Sequence, residues 1–209
     1  MAQGNLIDLG NQHGSKLLAD RTRRADLDPK DFSDAYVELG KFLSLHVAQE
    51  LELEEYVLNH CQGQRKGIRI KNEEGIAVLC LMRAGFYLAQ GFRSVLRRAQ
   101  FYPVNPKRGL GLSANELDEV SSGRPHTLVI VDSVVNTGGT IIPIFKQAKQ
   151  LGVAKIIVAA AVSPVNQSRV IAASNPEVMF YFARTSENTY VGKGTTDTGN
   201  RLFGTPNRE

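Results

Sequence analysis

An apolar run that ends in one acid and a glycine turn constrains the fold of this chain more than any other segment. Residues 126–140 read His-Thr-Leu-Val-Ile-Val-Asp-Ser-Val-Val-Asn-Thr-Gly-Gly-Thr. A strand buried on both faces is a continuous run of Val, Ile and Leu, as at residues 128–131. Such strands occur in parallel sheets covered by helices, so we predict an α/β fold with a mainly parallel sheet and helices on both faces. Asp132 then lies at the carboxyl edge of the sheet, where these folds bind ligands.

The turn that follows Asp132 has the composition of a phosphate-binding loop. Gly138 and Gly139 lack a Cβ and let backbone N–H groups approach an anion closely. Thr137 and Thr140 add hydroxyl donors, and the helix expected next contributes its positive N-terminal end. The alternative is a glycine-rich connection without a ligand. The acid, both threonines and the strand in combination favour the phosphate site.

The order of the elements favours a single domain at residues 21–209. With 42% hydrophobic residues, the chain can bury a substantial core. Predicted strands alternate with helices, and no linker interrupts them. Residues 1–20 are polar without a sustained period, so we expect an extended or partly disordered arm. The segment 101–122 contains Pro103, Pro106 and Gly109, which predict a ribbon or a mobile flap.

The charge balance favours a small-molecule substrate over nucleic acid. The chain has 25 basic and 21 acidic residues, for a formal net charge of +4. This excess is mild, and no run of Lys and Arg is long enough to follow a nucleic acid groove. Cys61 and Cys80 lack metal or redox spacing, which indicates a reduced, cytoplasmic protein. No apolar run approaches the ~18 residues of a membrane span, so we expect no membrane partner.

Three segments resemble the uracil phosphoribosyltransferases, which are type I phosphoribosyltransferases, and they occur in the family's order. Residues 132–140 resemble the loop that binds phosphoribosyl pyrophosphate, with Ser133 in place of the second acid usual in type I enzymes. Residues 79–85, Leu-Cys-Leu-Met-Arg-Ala-Gly, are similar to the family's Ile-Leu-Arg-Ala-Gly turn. Residues 196–205, Thr-Asp-Thr-Gly-Asn-Arg-Leu-Phe-Gly-Thr, are similar to its Gly-Asp-x-Gly-Asp-Arg-Leu-Phe-Gly-Thr. The chain is identified as a divergent member.

The resemblance implies the type I phosphoribosyltransferase fold with a small flap or hood. It also implies that uracil and phosphoribosyl pyrophosphate give UMP and pyrophosphate, as in pyrimidine salvage, with Mg²⁺ as cofactor and a homodimer as the assembly. Displacement at C1 of the ribose requires no covalent nucleophile. The protein has to place the base, neutralise the leaving pyrophosphate and exclude water.

The resemblance assigns a role to each matching residue. The catalytic residues would be Arg83 at the pyrophosphate, Asp132 at the ribose hydroxyls and Asp197 at the ribose. Mg²⁺ would be held mainly by the substrate, with Asp197 reaching it through water. The remaining contacts to phosphoribosyl pyrophosphate would come from Ala84, Gly85, Asn136, Thr137, Gly138, Gly139 and Thr140. Backbone groups would hold the base at Val191, Thr196 and Thr198.

Departures from the family pattern leave alternatives open. The flap of the family carries an arginine for pyrophosphate in a motif that segment 101–122 lacks. Lys107 and Arg108 are tentative replacements, and a solvated loop tip is the other interpretation of that pair. Asn136 stands where uracil enzymes usually have Ala, and Thr196 where they have Gly. The chain could therefore use another nucleobase, or bind phosphoribosyl pyrophosphate as a non-catalytic regulator.

Overall fold

A six-stranded parallel sheet forms the centre of the protein. The computed structural model describes residues 4–190, 192 and 196–206. The strand order is β1-β8-β7-β6-β4-β5, and every pair in this sheet is parallel. Its strands are β1 (Leu6–Asp8), β4 (Ile76–Leu81), β5 (Gln100–Val104), β6 (Thr127–Val134), β7 (Lys155–Pro164) and β8 (Val178–Ser186). A separate antiparallel hairpin is formed by β2 (Leu53–His60) and β3 (Gly63–Ile70).

Helices cover both faces of the sheet, as the fold class predicted. They are α1 (His13–Arg21), α2 (Pro29–Val47), α3 (Phe86–Arg93), α4 (Ala114–Ser122), α5 (Ile142–Gln150), α6 (Val165–Ser174) and α7 (Thr198–Phe203). The residues of α4, α5 and α6 share one apolar cluster with one face of the sheet. Those of α2, α3 and α7 share a second cluster with the opposite face. None of the described helices is long and apolar enough to cross a membrane.

The contact between α2 and α3 depends on glycine. A Cβ added at Gly40 would lie 2.0 Å from the carbonyl oxygen of Leu88, and one added at Gly91 would lie 2.3 Å from that of Val37. The two helix backbones therefore meet at a distance that no side chain permits. This contact fixes α3, and with it the turn between β4 and α3 that contributes to the site.

The prediction of an extended or partly disordered N-terminal arm is wrong for residues 4–20. Strand β1 pairs in parallel with β8, and α1 follows it. The Asn5 side-chain amide donates to the carbonyl oxygens of Ala172, Asn175 and Val178 at 3.0–3.1 Å. The polar composition of the segment hid this order, because only a few apolar residues anchor it: Leu6 and Ile7 pack against the two apolar clusters, and Leu9 is buried.

The prediction of a ribbon or mobile flap at residues 101–122 is also wrong. Strand β5 pairs with β4 at the edge of the main sheet, where Pro103 is tolerated because an edge strand does not need every N–H. Helix α4 begins with a capping box, in which Ser113 and Glu116 bond each other's backbone N–H groups. Only residues 105–113 between them are irregular.

Candidate active site

A cleft of about 470 Å³ opens at the carboxyl ends of β4 and β6 and contains residues from all three motifs. This position follows from the topology, because β4 and β6 are parallel neighbours whose following turns meet at one edge. The predicted residues that line the cleft are Arg83, Ala84, Arg108, Asp132, Asn136, Thr137, Gly138, Gly139, Thr140, Asp197 and Thr198.

The loop after β6 forms one wall of the cleft. Gly138 has a φ of 74°, in the left-handed region that favours glycine. Its carbonyl oxygen accepts from the N–H groups of Ile141 and Ile142 at 3.0 and 2.9 Å. Helix α5, the helix expected after the turn, begins at Ile142. Residues 136–140 are therefore free of the helix and form the loop that the phosphate hypothesis requires.

Asp132 is half-buried at the floor of the cleft. Burial raises the pKa of this carboxyl to about 7, and hydrogen bonds from the N–H groups of Ser133 and Val134 oppose the rise. The Ser133 N–H lies 2.7 Å from Oδ1. A ligand that favours the carboxylate, such as a hydroxyl donor or a cation, would lower this pKa on binding.

Arg83 connects the turn after β4 to the C-terminal motif. Its side chain is exposed, and it donates to Asn200 Oδ1 at 2.8 Å and to Thr205 Oγ1 at 3.4 Å. Among the described residues, no carboxylate forms an ion pair with Arg83. The guanidinium is therefore oriented by neutral partners and keeps its charge for an anion in the cleft.

Gly85 does not line the cleft, although the family pattern assigns it to phosphoribosyl pyrophosphate. It is buried, and an added Cβ would lie 2.4 Å from the carbonyl oxygen of Val131. Glycine is needed here because the start of α3 packs directly on the backbone of β6. The conformation of the turn depends on Gly85, whereas Arg83 and Ala84 reach the cleft.

Asp197 is the N-cap of α7 and faces the same cleft. Its Oδ1 accepts from the Asn200 N–H at 2.7 Å, which fixes the carboxylate at the start of the helix. The cleft thus contains two carboxylates, Asp132 and Asp197. No group of three or more His, Cys, Asp or Glu residues that could hold a metal ion occurs in the described part of the chain.

Tyr190 contacts the backbone groups that were predicted to hold the base, and the sequence interpretation missed it. The Thr198 N–H donates to its hydroxyl oxygen at 2.9 Å, and the hydroxyl donates to the carbonyl oxygen of Thr196. Thr196 lines a neighbouring cavity instead of the cleft. Val191 lies outside the described residues. The position of Tyr190 directly before Val191 was the one sequence signal that could have indicated this contact.

Asn136 connects Tyr190 to the phosphate loop. Its Nδ2 donates to the Tyr190 carbonyl oxygen at 2.6 Å. Its Oδ1 is buried, and no described residue donates to it. A buried amide oxygen without a donor indicates a ligand contact, because leaving such a group unpaired costs about 1–3 kcal/mol.

The structure separates Lys107 from Arg108. Arg108 lines the cleft, and its Nη2 lies 3.3 Å from Thr137 Oγ1. The segment is docked there by a hydrogen bond of 2.9 Å from the Gly109 N–H to the Gly139 carbonyl oxygen. Lys107 is exposed, pairs with Gly111 through a β-bridge, and is absent from the lining of the cleft. The two residues were predicted as a pair, but only Arg108 is placed to contact a ligand.

Comparisons with known proteins point in the same direction as the geometry. The family model of uracil phosphoribosyltransferase matches residues 12–205. The uracil phosphoribosyltransferase of Thermococcus gammatolerans is 25% identical over 194 residues, which cover 88% of this chain and 86% of that protein. The protein from Thermococcus kodakarensis with the same name is 25% identical over 190 residues, covering 86% and 82%. The structure of the AQ2163 protein from Aquifex aeolicus is similar with a TM-score of 0.73 and 19% identity, covering 95% of this chain and 97% of that one.

Proposed function

The chain belongs to the uracil phosphoribosyltransferase family, and on that basis we propose that it transfers the phosphoribosyl group of phosphoribosyl pyrophosphate to uracil. The products are UMP and pyrophosphate, in pyrimidine salvage. One observation carries the proposal: Arg83, Asp132, the loop 136–140 and Asp197 line a single cleft at the carboxyl edge of the sheet.

Each wall of the cleft has a role in this reaction. The loop 136–140 binds the 5′-phosphate through backbone N–H groups and the Thr137 and Thr140 hydroxyls. Asp132 accepts hydrogen bonds from the ribose hydroxyls. Arg83 and Arg108 neutralise the leaving pyrophosphate, on which negative charge develops as the bond at C1 breaks.

A magnesium ion fits the charges of the cleft but not a protein ligand set. Mg²⁺ usually keeps several waters and binds through one or two carboxylates together with substrate phosphates. Asp132 and Asp197 supply two carboxylates, and no larger cluster occurs among the described residues. We therefore assign the ion mainly to the oxygens of phosphoribosyl pyrophosphate, with Asp197 reaching it through water, where the ion would neutralise the departing phosphates.

Recognition of the base requires Tyr190 to release two backbone groups. Uracil presents an acceptor-donor-acceptor edge, which matches peptide groups. The Thr198 N–H and the Thr196 carbonyl oxygen are one donor and one acceptor of this kind, and both contact the Tyr190 hydroxyl. Uracil would replace that hydroxyl, and the buried Oδ1 of Asn136 would accept from the base.

A second copy of the chain would cover the exposed face of the β2–β3 hairpin. Leu53, Val57 and Ile68 lie on one face of this hairpin and are 59%, 66% and 70% exposed. Three large apolar side chains on one face of an isolated hairpin favour an interface. We propose that the protein is a homodimer through this face. Sedimentation of Val57→Glu against the exposed control Val170→Glu tests this, and a dimer that persists in both variants would argue against it.

The decisive assay for the activity is release of pyrophosphate with a panel of bases. Wild-type protein, phosphoribosyl pyrophosphate and Mg²⁺ are incubated with uracil, cytosine, orotate or guanine. We expect turnover with uracil. Turnover with a different base alone would favour a phosphoribosyltransferase of other specificity. Binding of phosphoribosyl pyrophosphate without turnover on any base would favour the regulator.

A further inference from the structure

A second cavity adjoins the active-site cleft, and its arginines have no role in the proposed reaction. Its volume is about 460 Å³, and it shares Val134, Tyr190 and Thr198 with the cleft. Three arginines line it, and we call it the arginine cavity: Arg23, Arg184 and Arg201. It therefore meets the cleft at Tyr190, adjacent to the groups proposed to hold the base.

The described lining of the arginine cavity is positively charged, because it contains three arginines and no aspartate or glutamate. Two carboxylates, Asp8 and Asp20, line a further cavity that Arg23 and Arg184 also border. Arg201 is engaged locally, because its guanidinium stacks 3.8 Å from the ring centroid of Phe32 and donates to the Arg24 carbonyl oxygen. Arg23 pairs with Asp20 at 2.8 Å on the surface. Of the three arginines, this leaves Arg184 as the one whose side chain could bind a ligand in the cavity.

Arg184 has neither an ion pair nor a hydrogen bond from its side chain to any described residue. It is half-buried near the end of β8. Burial and the charge of Arg23 lower its pKa, while Tyr36 and Asp20 act in the opposite direction. A half-buried guanidinium next to a like charge is unfavourable without an anion.

We propose that the arginine cavity binds an oxyanion, a carboxylate or a phosphate group, through Arg184 with Arg23 beside it. A guanidinium presents paired N–H donors that match two oxygens of either group. The oxyanion comes either from a substituent on the accepting base or from a separate phosphate-bearing molecule bound next to it. The first source, a substituent on the accepting base, rests on the proposed transfer activity, whereas the second does not.

Inorganic phosphate is the direct probe, and the phosphate loop must be blocked first. Gly139→Val fills the loop, and the atoms nearest to its new Cβ belong to the flexible Arg108 side chain and to Thr137. In this background we expect phosphate to bind, and Arg184→Gln to weaken binding about tenfold. Arg169→Gln, a surface change of equal charge, should leave the affinity unaltered. Equal affinity in the two Arg→Gln variants, or no phosphate binding in the Gly139→Val protein, would overturn the proposal.

Thermal unfolding shows whether Arg184→Gln has merely lost its fold. Because no described residue pairs with the Arg184 side chain and the charge of Arg23 acts on it, its removal should leave the melting temperature without phosphate unchanged or raise it. Added phosphate should stabilise the parent protein and not the Arg184→Gln variant. A variant that melts lower but gains as much from phosphate as its parent would contradict the assignment.

Turnover with orotate and uracil then identifies the source of the oxyanion. If the base supplies it, Arg184→Gln loses turnover with orotate and keeps turnover with uracil. If a separate molecule supplies it, added phosphate changes uracil turnover in the wild type and not in Arg184→Gln. Absence of turnover on every base would refute the proposed function. The phosphate titration would still show whether the arginine cavity binds an oxyanion.

Discussion

Asp132 lines the cleft in an environment whose burial disfavours the charged form of its carboxyl group. Burial raises its pKa to about 7, and no cationic side chain in the described part of the chain forms an ion pair with this carboxyl. Arg83 shows the opposite arrangement, with a guanidinium that is exposed and oriented by Asn200 and Thr205. At the residue scale, the site is prepared for a ligand that brings hydroxyls to Asp132 and negative charge to Arg83.

Asp132→Asn should stabilise the ligand-free protein at alkaline pH. The pKa of Asp132 is raised in the folded state from the usual 3.8 to about 7, so the folded state binds more protons than the unfolded state between these values. Stability of the wild type therefore falls as pH rises from about 4 to 7. We expect the variant to gain on the order of 1–3 kcal/mol at about pH 8, with a smaller gain near pH 5. Denaturant melts measure this, and a gain independent of pH would be inconsistent with the raised pKa.

Arg83→Ala should reduce turnover far more than affinity for uracil, because the side chain faces the leaving group. The expected loss in kcat/KM corresponds to about 2–4 kcal/mol, as for a lost electrostatic donor. Steady-state kinetics with both substrates varied measure the effect, with the exposed Arg169→Ala as the control. Unchanged kcat/KM would assign Arg83 to the solvated surface.

At the scale of elements, the site depends on two connecting segments, the loop after β6 and residues 105–111. The sequence pattern predicts only the first of them. The apolar run of β6 and the Thr-Gly-Gly-Thr turn predicted a buried strand followed by a loop, because burial and the need for glycine are local properties. The docking of residues 105–111 on that loop was not predictable, since it uses backbone contacts between distant segments, such as Gly109 with Gly139. Strand β1 was not predicted for the same reason, because it pairs with β8, which is more than 160 residues away in the chain.

Arg108→Ala should slow turnover, and Lys107→Ala should not. The two residues carry equal charge in one loop, but only Arg108 lines the cleft. We expect the loss in Arg108→Ala to be about tenfold or more in kcat/KM and to be mimicked in part by added salt, which screens an exposed charge. Equal effects of the two substitutions would indicate a general electrostatic contribution of the loop.

Gly40→Ala should destabilise the protein by separating α2 from α3. The added Cβ would meet the Leu88 carbonyl oxygen at 2.0 Å, and backbone at that distance has to move. Overpacking of this kind costs about 1–3 kcal/mol, and we expect the upper end because the contact is with backbone. Denaturant unfolding of this variant beside the exposed Glu38→Ala provides the comparison, and equal midpoints would show that the helices adjust freely.

At the scale of the whole molecule, the parallel sheet brings segments that are far apart in sequence to one edge. The fold class could be predicted, and so could the presence of Arg83, Asp132 and Asp197 in one cleft with the loop 136–140, because each rests on a local pattern or on the family resemblance. The position of Tyr190 between two cavities and the charge around Arg184 could not. Both arise where β8 meets the C-terminal segment, and no local periodicity describes such a contact.

The central claim is that this cleft binds phosphoribosyl pyrophosphate through the segment 132–140. Titration calorimetry at about pH 8, where Asp132 is mostly ionised, tests it on the wild type, Asp132→Asn and Gly139→Val. We expect the wild type to bind and each variant to bind about a hundredfold more weakly, because one loses the ribose acceptor and the other fills the phosphate approach. Equal affinity in all three folded proteins would contradict the claim and place the ligand elsewhere.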